Sequence, residues 1–322
     1  MTRRVRNLVA VAAATVLAST IATSVSAAPP DKLKQFRVPT SGSSPEHIIR
    51  TTDGNFWFTE SFINASNTVA QNLGRITPTG QVTEFHACDS CFPTDLVQGS
   101  DGDLYFTKND APLGHLTTSG VSLPDVGDRF SFNGNGLAVS GDNIWISDFN
   151  NAILHRYNVA SGLFTSFTVP APTLDVTVDA LGRVWFTHTD SRIGRLNPAT
   201  GAVTEITLTN EVREINVATD GAVWFTERFA SQVGRIDPAT GAVTEFAVGG
   251  GPEDIAPAAG GTMWFTRTTT GDIEQISPAG VILNASKAVK GTEPTGITVA
   301  PNGNPWFAML AADKIATLQL TP

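Results

Sequence analysis

Five side chains able to carry protons or hold a cation recur at one spacing. His47, Asp95, Asp175, Glu214 and Asp254 each stand ten residues before an aromatic residue: Trp57, Tyr105, Trp185, Trp224 and Trp264. Gly296 takes that slot before Trp306, and a hairpin one residue shorter brings Gly136 into it before Trp145. If the fold gathers these positions, four carboxylates and an imidazole share one small volume. Like charges so close raise one another's pKa. A hard divalent cation, Ca2+ or Mg2+, would relieve that repulsion through oxygen ligation, which makes the five candidate metal ligands. The alternative is that each acid accepts hydrogen bonds from backbone amides, or from Thr and Ser, of an adjoining unit and so fixes the spacing between units.

The aromatic residues supply the ruler for the elements that must do the gathering. They recur at intervals of 48, 40, 40, 39, 40 and 42 residues, giving seven copies of one unit. The long first interval reflects extra residues, "SFINASNTVAQN", after the first core. Within a unit such as "EINVATDGAVWFTERFASQVGRIDPATGAVTEFAV" (214–248), four short apolar runs alternate with turn signals, which reads as four strands. Asp53-Gly54, Asp101-Gly102, Asp220-Gly221 and Asn302-Gly303 mark the first hairpin, and Pro-Ala-Thr-Gly at 198–201 and 238–241 marks the third turn. Four strands per unit of about 40–45 residues is the signature of a β-propeller, all-β and here seven-bladed. The seventh copy stops after its third strand. The segment "KQFRVP" (34–39) resembles the fourth strands in pattern and is expected to complete the last blade.

A basic start with Arg3, Arg4 and Arg6, an apolar stretch, and small residues at Val25 and Ala27 read as a secretory signal peptide over 1–27. Residues 28–322 then form one propeller domain of an exported protein, expected to act as a monomer. The formal charge of −9 includes those three leader arginines and no leader acid, so the remainder carries −9 − 3 = −12. That balance argues against nucleic acid and against an anionic membrane as partners, because both reward clustered Lys and Arg. The expected partner is instead a small molecule or peptide at the mouth of the central channel, where propeller loops converge. Cys88 and Cys91 read as a local disulfide: a zinc site lacks a second ligand pair, and a redox motif lacks its βαβ context.

A second repeated slot, three residues after the aromatic, holds Glu60, Lys108, Asp148, His188, Glu227, Arg267 and Met309. Its acids share blades with Arg75, Arg156 and Arg235, and Arg267 shares one with Glu274, so cross-strand charge pairing is expected. His115 and His155 replace Arg and Gly in third strands and are expected on the surface. His86 and His188 are placed where either could reach the mouth.

The strings "WFTE", "IGR", "P-x-T-G" and "VTEF", recurring through seven units, resemble the virginiamycin B lyase (streptogramin lyase) family over essentially the whole chain beyond the leader. The resemblance implies elimination at the ester bond of a cyclic depsipeptide, with a histidine base and Mg2+ polarising the ester. It places the working groups in blades 6 and 7. There Glu253 occupies the first histidine position, in Pro252-Glu253-Asp254-Ile255. Glu293 is retained in Glu293-Pro294-Thr295, with Thr295 at the second histidine position, and Leu310 follows "WFAM" where the family has Glu. The chain thus lacks the family's active-site histidines. Glu253, Asp254 and Glu293 remain as candidate replacement metal ligands or bases, Glu253 and Glu293 being the candidate catalytic pair; at the level of architecture alone the chain resembles the calcium-dependent lactonases, which also use a propeller mouth. Two functions follow: a metal-assisted lyase or lactonase acting on a cyclic ester, or a non-catalytic propeller that binds a small ligand, peptide or glycan.

Overall fold

The computed structural model describes residues 32–60, 71–88, 91–108, 113–127, 134–287 and 289–321. The expected signal peptide and most of the insertion after the first core lie outside them. Residues Asp31–Leu320 form one compact unit. Seven four-stranded antiparallel sheets account for its strands, six of them built from consecutive strands in chain order. The seventh orders Lys32–Arg37, Lys314–Gln319, Pro305–Met309 and Pro294–Val299, so the amino-terminal strand closes the ring as expected. Its register runs from Lys32 opposite Gln319 to Arg37 opposite Lys314, two residues earlier than the sequence suggested. Pro39 lacks an N–H for the ladder, and the Val38 N–H already turns to the Asp313 carbonyl.

The core lies in the seams between blades. Trp57, Trp185, Trp224 and Trp264 are fully buried, each with the phenylalanine that follows it. Trp and Phe of "WFT" point to opposite faces of the second strand, as a strand's alternation requires, so each blade packs an aromatic against both neighbours. Burying one such phenylalanine stabilises the fold by about 1.5–3 kcal/mol. The Gly of "IGR" belongs to the same packing: a Cβ on Gly194 would lie 2.1 Å from the Phe186 ring, so only glycine leaves that ring its place.

Opposite each tryptophan, the third strand sets a partner. Arg75, Arg156, Arg195 and Arg235 face Trp57, Trp145, Trp185 and Trp224. This corrects the expected charge pairs in blades 1, 3 and 5, because the strand register sets these arginines beside the rings and not beside Glu60, Asp148 or Glu227. Arg75 and Arg156 lie over Trp57 and Trp145 at 5.7 and 5.6 Å, while Arg235 pairs with Asp220 at 3.2 Å. Only blade 6 behaves as read from the sequence, with Arg267 contacting Glu274 at 3.0 Å and Asp272 at 2.6 Å.

Candidate functional site

The ten-before slot falls inside a register shift of the innermost strand in blades 1, 3, 4, 6 and 7, where the ladder opens, and immediately before that strand in blades 2 and 5. The amide freed there finds the hydroxyl of "WFT". His47, Asp95, Asp175, Glu214 and Asp254 donate their N–H to Thr59, Thr107, Thr187, Thr226 and Thr266 at 2.9–3.2 Å, and Gly136 donates to Ser147 at 2.7 Å. Several of these hydroxyls donate onward into the next blade: Ser147 to the Leu174 carbonyl, Thr187 to Arg213 and Thr226 to Glu253. Sequence reasoning missed this role, although the recurring Thr was its signal.

The slot side chains continue the same stitching. Asp95, Asp175 and Asp254 each accept the N–H of the following residue through Oδ1, at 2.6–2.7 Å. Through Oδ2 each accepts an N–H of the next blade: Leu137 at 2.6 Å, Ile215 at 2.8 Å and Ile297 at 2.7 Å. The alternative weighed from the sequence is therefore the geometry found for these three. In blade 3 the slot must stay small, because a Cβ on Gly136 would stand 2.3 Å from Asp175 Oδ1. His47 reaches across with Nε2 to Asp95 Oδ1 at 2.9 Å. Glu214 hydrogen-bonds Asp175.

The electrostatics follow from burial and this crowding. Burial pulls the His47 imidazole down, but Asp95, its hydrogen bond, and the charges of Asp254 and Asp175 outweigh that and raise it to about 9. Burial pushes Asp175 up to about 7, assisted by Asp95 and opposed by its hydrogen bonds. Burial, then Asp175 and Asp254, push Glu214 well above the carboxylate range. The ring thus favours the cationic form of the His47 imidazole and the protonated forms of the Asp175–Glu214 carboxyl pair.

His47, Asp95, Glu214 and Asp254 border both a small cavity at the mouth, about 110 Å3, and the channel beneath it, about 360 Å3; Asp175 borders the channel. The ring forms the constriction between them. Arg213 and Glu253 stand at the mouth, where Glu253 contacts Arg228 at 2.7 Å and Arg213 at 3.4 Å. Glu293 is not brought to this cavity. It is exposed, with left-handed backbone (φ 45°) ahead of Pro294, and its carbonyl accepts the Leu310 N–H.

Thr295 is buried and donates its hydroxyl to the Glu46 carbonyl of blade 1 at 2.9 Å. That is the bond which Thr or Ser of "WFT" makes elsewhere, and which Ala308 cannot make in blade 7. Thr295→Val is expected to cost about 1–2 kcal/mol, because a buried carbonyl loses its donor where the ring closes. Urea unfolding of the two proteins checks this, and an unchanged midpoint would reject it.

The Mg2+ implied by the family does not fit these residues as arranged. Both oxygens of all three ring aspartates hold backbone amides, Glu253 is matched by two guanidinium groups, and Thr295 and Leu310 replace ionisable ligands. Among the described residues, the one trio of potential ligands within 4.8 Å of one another is Asp101, Asp103 and His115, at the opposite end of blade 2.

The remaining histidines are placed differently from the sequence expectation. His155 is buried, within 3.0 Å of Ser166 and 3.4 Å of Asp148. His115 stacks on Tyr105 at 4.4 Å, with Nε2 3.2 Å from Asp103. His188 is fully buried against Glu205 at 2.9 Å, and His86 is exposed at the end of an outer strand, so neither lines the mouth. Cys88 and Cys91 form the expected disulfide, with Cys91 packed in the cluster around Trp57.

The virginiamycin B lyase family model matches residues 25–214 and 130–321. No curated protein matches the chain. Among solved structures, a streptogramin B lyase is 25% identical, with a TM-score of 0.81 over 90% of this chain and 98% of its own. Virginiamycin B lyase from Staphylococcus aureus, solved as a catalytically inactive His-to-Ala variant with quinupristin, is 25% identical. Its TM-score is 0.79, over 90% of this chain and all of that one. The selenomethionine-substituted form of that enzyme gives the same values.

Proposed function

Because the chain belongs to the virginiamycin B lyase family, we propose that it is an exported propeller that keeps the family's ligand-receiving mouth and binds a small molecule, peptide or glycan there without the family's elimination chemistry. The observation that carries this reading is Glu253, which stands at the base position held between Arg213 and Arg228. Both contacts are charge-assisted, which commits this carboxylate to Arg213 and Arg228, and the remaining guanidinium donors are offered to a ligand carbonyl or carboxylate. Phe149 and Phe229 follow second strands at the mouth end, are 44% and 74% exposed, and give the rim apolar surface for a ligand's ring.

A second reading, turnover of a cyclic ester, is favoured by one feature: the hydrogen-bonded Asp175–Glu214 carboxyl pair, in which burial and mutual repulsion favour the protonated form a general acid needs. One panel separates the readings. Cyclic esters, lactones and a streptogramin B depsipeptide are incubated with the protein, with and without Mg2+, Ca2+ or chelator, and ring opening is followed by mass spectrometry beside calorimetric binding. Saturable binding without ring opening is expected. Ring opening abolished by chelator would restore metal-assisted lyase or lactonase activity. Ring opening that survives chelator and is lost in Glu214→Gln would establish the second reading.

A further inference from the structure

We propose that the seam between blades 7 and 1, at the end of the ring opposite the mouth, is a separate binding site for a small organic anion with an apolar, ring-bearing body. The argument starts from a broken rule of the repeat. In blades 1 and 4 the third-strand arginine covers its tryptophan and donates into the next blade's turn: Arg75 to the Thr118 carbonyl and Arg195 to Pro238, both at 3.2 Å. In blade 7 the residue opposite Trp306 is Thr317, whose hydroxyl turns inward to the Pro305 carbonyl at 2.9 Å. Among the described residues, the cavity beside Trp306 and Thr317 takes the place of the missing guanidinium. The seam opens into a cavity of about 560 Å3, against about 320 Å3 at the equivalent seam of blades 4 and 5, where Arg195 and Glu205 stand in the wall.

The lining of this cavity is unlike the rest of the surface. Trp306 stacks on Phe56 at 4.3 Å and on Phe36 at 5.6 Å, giving an aromatic wall. Lys34 and Arg50 stand on it, both exposed, and no acid lines it. Among the described residues neither cation has an ion-pair partner, in a chain of net charge −9. Two uncompensated cations beside an apolar wall favour an anion over a neutral or cationic guest. The volume is that of a small-molecule site.

The probe for the test is 1-anilinonaphthalene-8-sulfonate, titrated by fluorescence against the full chain, with 2-naphthoate and the neutral 2-naphthamide as competitors. Saturable binding is expected, displaced by the carboxylate and not by the amide. Lys34→Ala/Arg50→Ala should weaken it by about tenfold. Thr317→Arg, which installs the arginine that blades 1, 3, 4 and 5 carry at this position, should abolish it while circular dichroism stays that of the parent. If Thr317→Arg fails to fold, the double variant decides alone, since both its residues are exposed. No saturable binding, equal displacement by the amide, or unchanged affinity in the double variant would overturn the assignment.

Discussion

Asp175→Ala is expected to destabilise the protein by about 3–5 kcal/mol, read as a large drop in the urea midpoint. The carboxylate accepts the N–H of Val176 and of Ile215 in the next blade and is bonded to Glu214, and Asp175, Val176 and Ile215 are all buried. Each buried donor left without an acceptor costs about 1–3 kcal/mol. Asp175→Asn, which keeps one acceptor oxygen, should lose roughly half as much. The sign of the change discriminates between the two roles weighed for the ring. Were these acids held together mainly to await a cation, deleting one would relieve repulsion and raise stability in metal-free buffer. A midpoint that rises in Asp175→Ala would therefore discard the clamp and revive the cation site.

The second large effect is a dependence on pH. Glu60 and Glu227 are fully buried at equivalent positions of blades 1 and 5. Burial, then Glu84, raises Glu60 to about 8; burial, then Glu245, raises Glu227 to about 7. In the unfolded chain both titrate near 4.5. Between that value and 7 to 8 these two groups bind more protons in the folded state than in the unfolded one, so the stability they contribute is fullest below pH 4.5 and falls as pH rises through the window. The slope approaches about 1.4 kcal/mol per pH unit for each group. His47 adds a loss of the same sign at the alkaline end. Glu60→Gln should match the parent near pH 5, exceed it at pH 8 and flatten the slope. Parallel midpoints for the two proteins from pH 5 to 8 would show that Glu60 does not titrate in this range.

The fold was legible because its signals are local and repeated: tryptophans at a near-constant interval, Asp-Gly turns, and a strand-like "KQFRVP" to complete the last sheet. The ring's membership was legible for the same reason, since equal spacing along a repeat becomes equal height around an axis. What equal spacing cannot reveal is the atom on the other side of a contact. The ring aspartates meet amide protons that no letter of the sequence advertises. A register difference of three residues decides whether Arg75 faces Trp57 or Glu60, and the hairpin patterns leave that difference open. His155 was read as a surface residue because it replaces a glycine, yet its place in the third strand puts it between neighbouring blades. Thr295 was read only for the histidine it replaces, while its use depends on the hydroxyl absent from Ala308, thirteen residues further along the same blade.

The strand 32–37 lies against 314–319, so the earliest-made portion of the sheet finds its neighbour only when nearly all of the chain has been synthesised. Until then blade 7 has no outer edge and the annulus stays split. A ribosome delivering this chain vectorially must leave an unpaired β segment waiting, which makes premature truncation near residue 314 a lesion felt at both extremities.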